Sequence, residues 1–208
     1  MPVTGEAANF LNKEWKVGMC SAPCEAPLSC CFGSVCCCCA IMKQRNDILE
    51  VTGEPYVCCA GITCGCLPDC PKVPCLCIES FLCPSFGLAA NRFMMQTRFG
   101  LENTEWDDRI ICCANALACL ADVAQCCRIL RDCGVDIPGG CDDCLADNAD
   151  SLRDVAQCVI LGVSGCMYAQ QEIELDAIRD SGYAGPPREL VAALPPKQQS
   201  MIFDGKAI

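Results

Sequence analysis

The stretch "DDRIICCANALACLADVAQCCRILRDC", residues 107–133, gives the clearest indication of the fold. Cysteines recur in it every seven residues, as Cys112, Cys119, Cys126 and Cys133. A spacing of seven keeps side chains on one face of an α-helix, to within about 20° per heptad. Cysteine also behaves as a small apolar side chain that is often buried. We therefore predict a long helix whose cysteine face packs against a second helix.

A second helical pattern follows in residues 151–179, where apolar residues recur at intervals of three and four. Ser151, with an acid three residues later, has the spacing of an N-terminal cap. Cys158 and Cys166 lie in this pattern and would complete the shared core. A linker rich in turn residues separates the two helices, which predicts an antiparallel helical hairpin. The predicted fold class is mainly α.

The N-terminal half is richer in cysteine and in residues that interrupt helices. The stretch "CCFGSVCCCCAIM", residues 30–42, opens with six cysteines in residues 30–39. Its cysteine spacing recurs further along the chain, which indicates an internal repeat. The matched cysteines are Cys20, Cys24, Cys30 and Cys36 in the first copy, and Cys66, Cys70, Cys77 and Cys83 in the second. Because prolines occur throughout both copies, we predict loop-rich knuckles here rather than regular helices.

These patterns divide the chain into four segments. They are an N-terminal extension (1–16), a cysteine-rich region (17–100) with knuckles at 20–39 and 66–85, a cysteine-lined hairpin (101–180) and a Pro-rich tail (181–208). Two short helices are predicted inside the cysteine-rich region, at 40–50 and 88–100. The second should end at Gly100 in a left-handed conformation. The tail is predicted to be either a disordered extension or a docking peptide for a protein partner.

Four roles are open for the 26 cysteines: a disulfide framework, metal ligands, acylation sites at a membrane, or small apolar packing residues. The first 20 residues carry charges and have no apolar core, so we predict no signal peptide and an intracellular, reducing location where disulfides are rare. Histidine is absent, so a metal would be held mostly by thiolate sulfur. Such ligands favour zinc, Cu(I) or iron–sulfur chemistry.

Residues 20–39 and 58–83, which include most of both knuckles, are the predicted metal-binding segments, with zinc as the leading candidate. All eight matched cysteines are candidate ligands. Four successive cysteines at 36–39 cannot all face one way, and the surrounding prolines and glycines supply no core to bury them. The same four residues, Cys36, Cys37, Cys38 and Cys39, are candidate palmitoylation sites.

Membrane association rests on weak hydropathy signals. Mean hydropathy is +0.29, but cysteine scores about 2.5 on this scale and accounts for the positive value by itself. Residues 26–42 and 155–171 are uncharged but lie at the lower limit for a crossing. The run from Ile110 is interrupted by Asp122. We therefore predict no clean span and expect attachment through acyl chains on cysteines among Cys36–Cys39. At least two modified cysteines, or one together with a partner, are needed.

The composition and the motifs of the chain argue against several functions. A formal charge of −11 makes the chain a poor ligand for nucleic acid. Phosphate loops, dinucleotide fingerprints and nucleophile elbows do not occur in the sequence. The C-x-x-C pair Cys141 and Cys144 encloses two aspartates, which oppose the thiolate that redox chemistry needs. We predict a non-enzymatic protein.

Two motifs support a family resemblance. "CCFGSVCCC" (30–38) matches a C-[CL]-x-x-x-x-C-[CP]-C core at every fixed position, and "CIESFLCPS" (77–85) matches it except at Ile78 and Ser85. With "NRFMMQTRFGLENTEWDDRIICC" and "CMYAQQEIEL", the chain resembles the placenta-specific 8 (cornifelin-type) cysteine-rich family, which includes plant cell-number regulators and cadmium-resistance proteins. The resemblance covers about residues 17–176, and about 45 residues after Cys113 look inserted.

The resemblance implies membrane association and a role in divalent-metal tolerance or growth regulation. It supplies no catalytic residue. The alternative function is a structural or scaffold subunit of a larger assembly, in which the cysteines serve as packing residues or staples.

Overall fold

The computed structural model describes residue 3 and residues 5–62, 71–134 and 141–204. These residues form ten α-helices and one two-stranded parallel sheet, so the mainly-α fold class is confirmed. The helices are α1 (Ala22–Glu25), α2 (Pro27–Val35), α3 (Cys37–Thr52), α4 (Lys72–Leu82), α5 (Pro84–Phe99), α6 (Glu105–Asp132), α7 (Cys141–Asp147), α8 (Ala149–Ser181), α9 (Arg188–Ala193) and α10 (Pro196–Asp204). The strands are β1 (Lys13–Glu14) and β2 (Leu101–Glu102), and two 3-10 helices span Gly5–Phe10 and Cys58–Gly61.

The chain divides into two compact units. Unit 1 comprises Met1–Thr104 and Ser164–Ile208, and unit 2 comprises Glu105–Val163. Unit 1 therefore contains residues from all four segments of the sequence-based division. Helix α8 contributes its first part to unit 2 and the rest to unit 1.

Unit 1 contains two bent helix pairs with the same plan. α2 meets α3 at 118° and α4 meets α5 at 116°, with the breaks at Cys36 and Cys83. α3 and α5 each have 16 residues and end at Gly53 and Gly100, both left-handed with φ of 70° and 69°. The two breaks are 47 residues apart, and the two glycine caps are also 47 residues apart. We call α2–α3 repeat 1 and α4–α5 repeat 2.

The predicted loop-rich knuckles are wrong for the described residues, which are helical. Pro27 and Pro84 stand in the first turns of α2 and α5, and Pro74 lies in the first turn of α4. Proline is tolerated there because the first backbone N–H groups of a helix have no intrahelical partner. The prolines therefore start helices in this chain rather than exclude them.

The other helix predictions largely hold. The segments 40–50 and 88–100 lie in α3 and α5, and the left-handed cap at Gly100 is confirmed. Both long helices are present, although α8 begins at Ala149, before the predicted cap at Ser151. In unit 2, α7 packs against α6, and Arg128 forms an ion pair with Asp150 at the start of α8. The antiparallel hairpin itself stays a prediction.

Two apolar clusters stabilise unit 1. The first joins β2, α8 and both repeats, through Trp15, Ile48, Leu49, Met94, Met95, Leu101 and Leu175. The second joins the N-terminal 3-10 helix to the tail, through Val3, Ala7, Leu11, Leu190, Val191, Leu194 and Ile202. The predicted disordered extension is therefore wrong for tail residues up to 204, because α9 and α10 pack against their own chain.

The cysteine face of α6 is not the face that packs. Cys112, Cys119, Cys126 and Cys133 are all exposed, whereas Ala114, Ala121 and Ala124 are buried. The seven-residue spacing places Cys112, Cys119 and Cys126 on one face of α6, and Cys133 follows the last residue of the helix. The prediction that this face fills the core is wrong within this chain, because the buried apolar residues of α6 are the smaller alanines.

Candidate metal centre

A strained turn lies between the two repeats. Cys59 and Ala60 in the 3-10 helix Cys58–Gly61 both have φ of 51°, and Gly61 follows with φ of 69°. This left-handed conformation costs about 1–2 kcal/mol of conformational free energy for each residue other than glycine. Such strain persists only where surrounding contacts hold it, and it is concentrated at functional sites.

Contacts from α4 and α10 hold the turn. Glu79 Oε2 accepts hydrogen bonds from the Cys59 backbone N–H at 2.9 Å and from the Tyr56 hydroxyl at 3.0 Å. Gln198 Nε2 donates to the carbonyl of Ala60. A Cβ on Gly61 would lie 3.2 Å from Gln198 Nε2, so α10 covers the turn closely.

Glu79 itself is fixed by a buried ion pair. Its Oε1 accepts a hydrogen bond from Arg45 Nη2 at 2.9 Å, and both side chains are almost fully buried. Arg45 Nε also donates to Asn91 Oδ1 at 2.5 Å. Burial, and then the Glu79 carboxylate, raise the pKa of the Tyr56 hydroxyl well above its usual value, so Tyr56 stays a donor. Arg45 of repeat 1 and Glu79 of repeat 2 thus position the turn together.

Two thiols are presented on this turn. The Sγ atoms of Cys58 and Cys59 lie 3.8 Å apart, and both residues are half-buried. A carboxylate oxygen of Glu79 lies within 4.8 Å of both sulfurs. Among the described residues, no other three Cys, Asp or Glu donor atoms lie within 4.8 Å of one another.

The predicted knuckle ligands are more scattered. Cys20, Cys24, Cys36 and Cys83 are exposed, while Cys30 and Cys77 are half-buried; Cys66 and Cys70 lie outside the described residues. In the described part of the chain, neither knuckle places three sulfurs within 4.8 Å of one another. The Cys77 thiol lies 4.0 Å from the thioether sulfur of Met42. Cys75 is disulfide-bonded.

One predicted ligand meets a cysteine from the far end of the chain. A Cβ on Gly165 of α8 would lie 2.5 Å from the carbonyl oxygen of Cys30 on α2, so the residue before Cys166 lies against the Cys30 backbone. Burial, and then the neighbouring Cys30 thiol, raise the pKa of Cys166 to about 11, with a further contribution from Cys20. The structure therefore brings the segment around Cys166, which the sequence placed in a helical core, against α2.

The acylation candidates differ in accessibility. Cys36 and Cys39 are exposed, and Cys37 and Cys38 are half-buried. Their attachment to acyl chains stays a prediction.

The predicted metal-binding segment 58–83 includes Cys58 and Cys59, but the list of candidate ligands left this pair out. Its signal was present in "YVCCAG", where adjacent cysteines precede a glycine. The supporting carboxylate is 20 residues away on another helix, and no local pattern connects the two. No family model matches the chain, and no curated protein or solved structure matches it. The family resemblance therefore stays a prediction from sequence motifs.

Proposed function

We propose that this is a non-enzymatic, membrane-associated protein that binds a thiophilic metal ion such as zinc through Cys58 and Cys59. The observation that carries the proposal is the 3.8 Å separation of the two sulfurs. Zinc–sulfur bonds of about 2.3 Å at tetrahedral angles place two thiolates about 3.8 Å apart. The pair is thus already spaced for a shared metal ion.

The surrounding residues fit such an ion. Two thiolates are soft ligands of the kind that zinc binds. Glu79 already accepts three hydrogen bonds, so we assign it a positioning role: it holds the turn and places a negative charge beside the thiols. A bound ion would cross-link the two cysteines of the strained turn, and its binding would release the protons of their thiols.

Helix α6 supports the membrane part of the proposal. Its 28 residues include an 18-residue window of mean hydropathy 1.8, of which 17% is buried in the chain. Asp122 therefore does not prevent α6 from having the length and composition of a span. Trp106 is exposed at its N-terminal end, where tryptophan commonly lies at a membrane interface.

Helices α2 and α4 provide a second apolar surface. Each bent pair, with its two helices taken as one segment, is also long and apolar enough to cross a membrane. Leu28 and Val35 on α2, and Phe81 and Leu82 on α4, are each more than 60% exposed. α3 carries Lys43, Arg45, Asp47 and Glu50, which argues that only α2 and α4 enter the membrane interface. Acylation at Cys36 or Cys39, beside the first bend, would strengthen this attachment.

Metal analysis of the full chain tests the proposal. Protein purified without oxygen should contain at least one zinc per chain. The double variant Cys58→Ser/Cys59→Ser should lose about one equivalent, because both thiolates of this site are removed. Cys112→Ser/Cys113→Ser removes another adjacent pair, exposed on α6, and should retain the metal. Equal metal content in all three proteins would contradict the proposed site.

Membrane fractionation tests the attachment. We expect retention in the membrane fraction through both hydroxylamine, which cleaves thioesters, and alkaline carbonate, because α6 crosses the bilayer. Leu120→Arg/Val123→Arg on the exposed face of α6 should move the protein to the soluble fraction. Release of the wild-type protein by hydroxylamine would show acyl anchoring alone, and a protein soluble from the start would contradict membrane association.

The scaffold function is the second candidate, and the exposed cysteine face of α6 favours it. If those cysteines pack, their partner lies outside this chain. Isolation of the soluble protein in a stable, metal-free complex would support this function over metal binding.

A further inference from the structure

The C-terminal helix α10 lies directly against the strained turn Cys58–Gly61. Gln198, in the first turn of α10, is buried, and its Nε2 donates a hydrogen bond to the carbonyl oxygen of Ala60. A Cβ added to Gly61 would lie 3.2 Å from Gln198 Nε2 and 3.2 Å from the Sδ atom of Met201, which is also buried. Movement of the turn on this side therefore requires movement of α10.

The carboxamide of Gln198 also contacts a buried ion pair. Gln198 Oε1 accepts a hydrogen bond from Arg98 Nη2 at 3.2 Å. Glu54 holds the same guanidinium, because its carboxylate accepts hydrogen bonds from Arg98 Nε and Nη2, both at 2.9 Å. Arg98 lies in the last turn of α5, and Glu54 follows the Gly53 cap of α3. Gln198 therefore connects the turn to the ends of both repeats.

The two left-handed residues of the turn are held from both ends. The backbone N–H of Cys59 donates to Glu79 at 2.9 Å, and the carbonyl of Ala60 accepts from Gln198. Cys59 and Ala60 both have φ of 51°, a strained conformation that persists only where surrounding contacts hold it. Loss of the bond from Gln198 therefore allows the turn to relax and the spacing of the Cys58 and Cys59 sulfurs to change.

We propose that Gln198 is a positioning residue for the Cys58–Cys59 pair, so that docking of α10 and binding of a thiophilic ion by the two thiolates stabilise each other. The inference rests on the metal site of the proposed function and adds its regulation, since the affinity of the site depends on whether α10 is docked. Each thiol that binds releases its proton to solvent, and no electron is transferred.

The size of the coupling follows from the strain of the turn. A relaxed turn must regain its left-handed conformation when it binds the ion, which lowers the affinity about tenfold. Thermodynamic linkage makes the effect reciprocal: a bound ion favours the docked position of α10 by the same factor. A change that undocks α10 therefore weakens metal binding at the turn.

The first test measures the Cd²⁺ affinity of the full chain, from the ultraviolet sulfur-to-cadmium charge-transfer band with free Cd²⁺ set by a chelator. The part of the band that Cys58→Ser/Cys59→Ser removes belongs to this site. Gln198→Met keeps the size of the side chain but removes both of its hydrogen bonds, so it should weaken Cd²⁺ binding at this site about tenfold. Gln199→Met is the matched control, because Gln199 donates to the Leu194 carbonyl within the tail, and it should leave the affinity unchanged.

Hydrogen exchange provides a second readout, which loss of packing alone does not change and which needs no variant of Gln198. In the wild-type protein, Cd²⁺ should slow the exchange of the α10 backbone amides by up to about tenfold. The amides of α6, in unit 2, should exchange at an unchanged rate. Both Cys58→Ser/Cys59→Ser and Gln198→Met should abolish the slowing in α10.

The outcomes separate this inference from the metal site itself. If Gln198→Met binds Cd²⁺ as wild type does, or if Cd²⁺ leaves the exchange of α10 unchanged in wild type, the coupling is overturned although the Cys58–Cys59 site stands. Equal weakening in Gln198→Met and Gln199→Met would assign the effect to the tail as a whole and overturn the role of Gln198. If Cys58→Ser/Cys59→Ser binds Cd²⁺ as wild type does, both the site and its coupling to α10 are contradicted.

Discussion

Repeats 1 and 2 share a backbone plan but carry different chemistry. Both bend after the first helix and end the second at a left-handed glycine. At a shift of 47 residues, Glu79 of repeat 2 corresponds to Phe32 of repeat 1. Glu79 is buried, pairs with Arg45 and holds the Cys58–Gly61 turn, whereas Phe32 packs on Tyr168.

Other equivalent positions of the two repeats also make different contacts. Ser80 corresponds to Gly33, and only the glycine permits backbone contact with α8. Arg92 corresponds to Arg45, but it donates to Asn103 and Gln170 rather than to Glu79. The comparison teaches that the two repeats share their breaks and caps, while one or two positions on the first helix determine which parts of the chain each repeat contacts.

The largest effect should follow from removing Glu79. Glu79→Ala leaves Arg45 buried without its carboxylate, and losing one partner of a buried pair costs about 3–5 kcal/mol. The corresponding change in repeat 1, Phe32→Ala, should cost only about 1 kcal/mol, because the ring is partly exposed and its aromatic pair is weak. Urea denaturation of both variants measures the difference. Glu105→Ala, which breaks an exposed pair with Arg109, is the control and should cost less than about 0.5 kcal/mol; similar losses in all three variants would refute the asymmetry.

The glycine crossing of repeat 1 should give the next largest effect. Gly165→Ala overpacks a backbone contact and should destabilise the protein by about 1–3 kcal/mol. Gly162→Ala, on the same helix in open space, should instead stabilise it by up to about 1 kcal/mol, since alanine restricts the unfolded chain. Thermal or urea denaturation distinguishes the two signs. A neutral Gly165→Ala would mean that α2 does not rest on α8.

The two helix caps should respond alike. Gly53→Ala and Gly100→Ala each place a Cβ in a left-handed residue and should each cost about 1 kcal/mol. Their φ values are nearly identical, so the free energies of unfolding should fall by equal amounts. A difference above about 1 kcal/mol between the variants would show that the shared plan does not extend to the caps.

The smallest effect concerns pH. The pKa of Cys166 rises from its ordinary value of 9.0 to about 11 on folding, so between these values the folded state binds more protons than the unfolded state. Stability should therefore fall as the pH rises from about 9 to about 11, and Cys166 should contribute no pH dependence below that window. Metal-free wild type should lose more stability across the window than Cys166→Ser. Parallel pH profiles would refute the raised pKa.

Local patterns predicted the helices better than the contacts between them. Seven-residue spacing predicted α6, and Gly100 predicted the end of α5, because periodicity and caps are properties of one segment. The prolines misled the prediction because their effect depends on position: Pro27 and Pro84 start helices. The close approach of α2 and α8 depends on Gly33 and Gly165, which are far apart in the chain, and the Cys58–Cys59 turn depends on Glu79. Neither partnership leaves a local pattern in the sequence.

X-ray absorption at the zinc edge of the full chain tests the central claim most directly. The account predicts two sulfur neighbours at about 2.3 Å, with oxygen completing the shell. Adding Cys58→Ser/Cys59→Ser should abolish the sulfur signal. A shell of oxygen alone in the wild-type protein, or an unchanged sulfur signal after both cysteines are removed, would contradict the claim that this strained turn is a metal site.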